Sequence, residues 1–136
     1  MRIFVTLLLV LVYFQINAQS SASNDTSARS AESYDTTIYE HPEVDAKFRK
    51  GNWTDLLQKN MTYPKAAIKK EIQGTVIVKF IIETDGSVSN IQPTFGPNEL
   101  REDAANLIRK SPKWMPALNN GKPVRSVRKQ PIVYRL

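Results

Sequence analysis

One stretch, Gly74 to Phe95 (GTVIVKFIIETDGSVSNIQPTF), limits the fold more than any other, because it reads as an antiparallel β-hairpin. Val76, Val78, Phe80 and Ile82 recur at two-residue spacing, so one face of the first arm is wholly apolar and needs cover. The opposite face, Thr75, Ile77, Lys79, Ile81 and Glu83, is mixed and tolerates partial solvent, although Ile77 and Ile81 also favour cover. Asp85-Gly86 supplies the turn, since tight hairpins need positive φ. In the second arm Val88 and Ile91 differ in parity, which predicts a bulge, and Pro93 removes a ladder donor nearby. A hairpin cannot stand alone, so the rest of the chain is what covers it.

That remainder is small. The 136 residues allow one modest domain, and the absence of cysteine excludes disulfides, thiolate metal sites, cysteine nucleophiles and lipoprotein acylation. A single histidine, His41, excludes a multi-histidine metal site. No nucleophile–base pair or metal cluster can be assembled, so the expectation is a non-enzyme without catalytic, cofactor or metal residues.

The chain begins with a positive Arg2, an apolar run from Ile3 to Phe14 and a small Ala18, the layout of a secretory signal over residues 1–18. The run is shorter than the roughly 20 residues that span a bilayer, so cleavage after Ala18 is expected; the rival reading is an uncleaved anchor. Residues 19–46 carry Arg29 against six acids, a net −5, with few large apolar side chains, and read as a disordered acidic tether. Residues 47–136 carry 17 Lys and Arg against 7 Asp and Glu, a net +10, and read as the folded domain. The overall +6 therefore conceals an acidic tail on a basic domain. Export makes nucleic acid a poor partner for that positive charge, and acidic protein segments, peptidoglycan carboxylates or anionic head groups the better ones.

Within the domain, Asn52 caps a helix over Trp53–Asn60, and Pro64 opens a second over Lys65–Glu71, with Ala67, Ile68 and Ile72 toward the sheet. A third helix begins at Asn98, with Glu99, Glu102 and Asp103 near its positive end, Arg109 and Lys110 near its negative end, and Leu100, Ala104, Leu107 and Ile108 as its buried stripe. Asn119-Asn120-Gly121 marks a turn, and the closing stretch VRSVRKQPIVYRL is a strand that pairs with the hairpin. Pro131 favours an edge position for that strand. The expected fold is α+β: a three-stranded antiparallel sheet with two to three helices packed on one face.

Tyr63-Pro64, Gly74-Thr75-Val76 opening a strand, Asp85-Gly86, the helix over Glu99–Arg109, Trp114-x-Pro116, Gly121-Lys122-Pro123-Val124 and a terminal apolar strand jointly resemble the TonB C-terminal domain, over about residues 52–136. The resemblance implies a periplasmic protein-binding domain in energy-coupled transport. Its partner would be a short segment of an outer-membrane receptor, the TonB box, paired with the last strand by β-augmentation. On this chain it implicates Arg128, Gln130, Ile132, Val133, Tyr134 and Arg135, together with Asn60, Met61 and Thr62. Peptidoglycan and a second copy of the chain, forming a homodimer through the same edge, are further candidate partners. The alternative function is a free periplasmic module, a peptidoglycan binder or receptor decoy, without energy transduction.

Overall fold

The computed structural model describes residues 35–49 and 51–136. The secretory signal expected over residues 1–18 and most of the stretch expected as an acidic tether lie outside the described residues.

The described chain starts with two short strands, β1 (Ile38–Tyr39) and β2 (Lys47–Phe48), followed by helices α1 (Trp53–Asn60) and α2 (Lys65–Lys69). The hairpin forms β3 (Gly74–Ile82) and β4 (Val88–Phe95), and α3 (Asn98–Arg109) comes next. Two more short strands, β5 (Trp114–Met115) and β6 (Ala117–Asn119), precede the long β7 (Lys122–Tyr134). The main sheet runs β1-β7-β3-β4, with β6 also on β7, and β2 pairs separately with β5. The class is α+β as expected, but the main sheet has five strands rather than three. The additional strands are two or three residues long, too short for an alternating pattern to appear in the sequence.

Local chemistry explains each long element. Val76, Val78, Phe80 and Ile82 of β3 are fully buried against Leu100, Ala104, Leu107 and Ile108 of α3 and against Ile132 and Tyr134 of β7. The side chain of Asn52 accepts the Thr54 N–H at 3.1 Å and so caps α1. The parity change in β4 is a bulge: register slips between Lys79 and Ile81 while Asn90 adopts φ 47°. The β3–β4 connection is longer than a two-residue Asp-Gly turn, because Glu83 N–H bonds Ser87 O at 2.8 Å and Thr84–Gly86 forms the loop. Asn120 and Gly121, at φ 50° and 71°, make the two-residue turn between β6 and β7.

Three expectations need correction. Ile68 is 47% exposed, because the five-residue α2 turns only Ala67 fully inward. Helix α2 ends at Lys69 rather than Glu71, with Glu71 in a left-handed conformation at φ 54°. The acidic stretch joins the domain before residue 47: β1 pairs with β7, Val44 bridges Leu118, and Ala46 is 5% exposed. These contacts rest on single apolar residues in a polar run, which hides them from composition.

Candidate functional site

β7 is the longest strand, and its two edges differ. From Ser126 to Tyr134 it pairs continuously with β3, antiparallel, Ser126 opposite Ile82 and Tyr134 opposite Gly74. Its other pairings stop early, since β6 meets only Lys122–Val124 and β1 only Arg125 and Ser126. Val127 to Tyr134 therefore carries one unpaired edge among the described residues.

The prolines tell which residues face that edge. Pro131 lies opposite Ile77 in a ladder that continues unbroken on both sides, and proline has no N–H to give it. Pro131 thus occupies a rung without hydrogen bonds to β3, and its main chain points outward. By alternation Val127, Lys129 and Val133 also aim their N–H and C=O groups outward, whereas Arg128, Gln130, Ile132 and Tyr134 bond β3. Tyr39, paired in parallel opposite Ser126, takes the Val127 N–H on its carbonyl, so the open edge offers two free donors, Lys129 and Val133, on either side of Pro131, a gap that also guards it against indiscriminate pairing.

Side chains follow the same parity. Ile132 and Tyr134 are core residues, 0% and 1% exposed, and their main chain bonds β3, so neither offers side chain or backbone to a strand added on the open edge. Val133 is 48% exposed, and Lys129, Pro131 and Arg135 are exposed beside it. Gln130 is half-buried, and its side chain bonds only the neighbouring Pro131 carbonyl, Nε2 donating at 3.3 Å. Arg128 stacks on Trp114 at 4.9 Å and donates from Nη1 to Ala46 O at 3.1 Å, while its buried Nε has no partner. Burial lowers its pKa, opposed by the nearby Asp45 charge. Trp114 also meets Phe48, Phe80 and Trp53, so it is core rather than a binding platform.

At the start of the edge, Arg125 grips Glu83 with two bonds, Nε to Oε2 at 2.6 Å and Nη2 to Oε1 at 3.1 Å. The guanidinium bonds chiefly hold the Glu83 carboxyl below its usual range, against a smaller effect of burial, and Ser89 Oγ donates to it as well. The same bonds raise the Arg125 pKa.

The second implicated region is tied to the strand by a carboxylate. Asp103 of α3 accepts the Thr62 N–H at 3.2 Å and the Tyr134 O–H at 2.6 Å. Tyr63 stands edge-on to Tyr134 with ring centres 5.6 Å apart, and its hydroxyl donates to Ile72 O at 2.6 Å. Burial, then the Asp103 bond, push the Tyr134 phenol far above its usual pKa. Met61 packs on the core and Asn60 closes α1 by donating to Leu56 O at 3.0 Å, so neither presents its whole side chain to a partner. The structure thus gathers Thr62 and Tyr134 around Asp103 and leaves Asn60 with helix α1. Asp103 escaped the sequence reading, which saw in it only a charge near a helix N-terminus. No group of three or more potential metal ligands occurs among the described residues.

Comparison with known proteins now adds the family. The model for the Gram-negative bacterial TonB protein C-terminal region matches residues 59–136, more than half of the chain. The chain belongs to the TonB C-terminal family. Among solved structures it is similar to the solution structure of the Helicobacter pylori TonB C-terminal domain, at 28% identity and a TM-score of 0.48, over 61% of this chain and 76% of that one. No curated protein matches it. The family match covers β3, α3 and the whole of β7, and it begins at the end of α1 just before Asn60–Thr62.

Proposed function

We propose that this TonB-type domain acts in the periplasm, taking an extended segment of an outer-membrane receptor as an added strand along β7, within energy-coupled transport. The unpaired edge of β7 from Val127 to Tyr134 carries this reading. The opposite edge is saturated by β3 and backed by the core, so an incoming strand meets a rigid template and loses little entropy in the receiving side.

Charge supports the same partner class. Lys122, Lys129 and Arg135 make no ion pair among the described residues, so β7 presents uncompensated positive charge that favours an acidic segment. The domain's binding mode uses main-chain bonds for affinity and the exposed side chains of Lys129, Pro131 and Val133 for selection.

The test is a Val133→Pro chain titrated with a synthetic peptide of the extended segment of a TonB-dependent receptor from the same bacterium. Val133 shares the parity of Pro131, so the change removes an outward donor while the β3 ladder keeps its bonds. Affinity should fall about tenfold or more, from a lost bond worth about 0.5–1.5 kcal/mol and the ring's bulk at the edge. Unchanged affinity in a folded variant would exclude docking on this edge.

A further inference from the structure

The docking edge already has an occupant from its own chain. β1 lies parallel on β7, Ile38 beside Arg125 and Tyr39 beside Ser126, a register that sets the Tyr39 carbonyl on the Val127 N–H and leaves Lys129 as the first free donor. Side chains fasten it there. Arg125 Nη1 donates to Thr36 O at 3.1 Å, and Tyr39 packs against the core. Asp35 accepts the Thr37 N–H at 2.9 Å and the Tyr39 O–H at 3.0 Å, which sets the conformation in which the segment reaches the edge. The grip is nonetheless slight: two rungs, with Ile38 40% exposed. After Tyr39 the chain leaves the edge, and Val44 bridges Leu118 instead. β1 is therefore a strand whose removal would uncover the Arg125–Ser126 end of the edge without opening the core ladder between β3 and β7.

We infer that Asp35–Tyr39 is a built-in competitor for the β7 edge, which an incoming strand displaces when it extends across Arg125 and Ser126. The inference rests on the docking reading above and adds a regulation to it. The competitor is an extended piece with a carboxylate, three hydroxyls and the apolar bodies of Ile38 and Tyr39, and its undocking changes the apparent affinity of the edge by the fraction of molecules in which it is docked. Pairing is parallel in this intramolecular case, so the edge accepts a strand in that orientation.

The experiment compares the full wild-type chain with Tyr39→Pro and Asp35→Ala, using circular dichroism melts as the folding control. In the parallel register Tyr39 directs its N–H at Arg125 and its C=O at Val127, so proline at Tyr39 removes the main-chain donor that β1 gives β7, and Asp35→Ala removes the two bonds that order it. The first probe is the receptor-segment peptide named above. Both variants should bind it more tightly, Tyr39→Pro by about threefold or more, which corresponds to β1 being docked in about two-thirds of wild-type molecules. Equal or weaker binding in both variants overturns the inference and leaves the docking reading intact. If that peptide binds no form of the protein, the docking reading fails, and a labelled peptide of residues 35–40 decides the inference alone. Tighter binding of that peptide to Tyr39→Pro than to wild type upholds self-occupancy of the edge; no binding to either refutes it.

Discussion

Gly86 lies where a single methyl group collides with the backbone around which the aromatic core is arranged. A Cβ placed there meets Trp114 O at 2.0 Å and Trp114 C at 3.1 Å, and Gly86 itself has φ 86°. Gly86 O accepts the Trp114 N–H at 2.8 Å, so the contact that blocks a side chain also ties the β3–β4 loop to β5. Relief needs a shift of about 1 Å, and neither side can yield freely. Trp114 is 1% exposed and locked among Phe48, Trp53 and Phe80 beneath Arg128. For Gly86→Ala the left-handed backbone costs about 1–2 kcal/mol, the lost hydrogen bond about 0.5–1.5, and repacking around Trp114 about 1–3. Together these reach about 2.5–6.5 kcal/mol, a large share of the 5–15 kcal/mol typical of a whole domain. At about 4–8 °C per kcal/mol for this domain size, the melting temperature should fall by roughly 10 °C or more. Gly121→Ala is the matched control, since Gly121 has φ 71° with nothing within 4 Å of its added Cβ, leaving only the backbone cost. Melts followed by tryptophan fluorescence separate the two. Equal losses in both variants would refute the steric argument and leave backbone conformation as the whole effect.

Other consequences are as open to test. Phe80→Ala should cost about 3–5 kcal/mol in urea unfolding, because Phe80 is fully buried against Trp114; a loss under about 1 kcal/mol would mean that the core lies on the other face of β3. Tyr134→Phe should cost about 1.5–3 kcal/mol by removing the bond to Asp103, and ultraviolet titration of the wild type should show one tyrosine fewer ionising in the ordinary range than unfolding releases. Glu83 has a folded pKa depressed below its unfolded value, so its stabilisation is present above the unfolded value near 4.5 and is lost as pH falls through the lower, folded one. Glu83→Gln should flatten the stability profile in that acid window, and an unchanged profile would show that the pair with Arg125 contributes nothing.

The legibility of this chain in its sequence followed the length and locality of each signal. The apolar face of β3 and the stripe on α3 were plain, because nine and twelve residues of regular spacing leave little choice of period. The caps and breakers, Asn52, Pro64 and Asn120-Gly121, marked boundaries to within a residue or two for the same local reason. β1, β2, β5 and β6 were invisible, since two or three residues show no alternation and their pairing is decided by distant partners. The terminal strand could be placed over the last residues, but not the burial of Ile132 and Tyr134 within it, which depends on register against β3. Asp103 could not be found at all. Its partners, Thr62 and Tyr134, lie 41 and 31 positions away, and a carboxylate in a helix's first turns is ordinarily explained by the helix dipole.

The central claim is that a partner adds to β7 along Val127–Tyr134, and amide hydrogen exchange resolved by residue tests it most directly. Without peptide, the amides of Arg128, Gln130, Ile132 and Tyr134 should be protected by β3, while those of Lys129 and Val133 exchange freely. On addition of the receptor-segment peptide, protection should appear at Lys129 and Val133 and change little elsewhere. Saturated binding with those two amides still exchanging freely would contradict strand addition and move the contact to another surface of the domain.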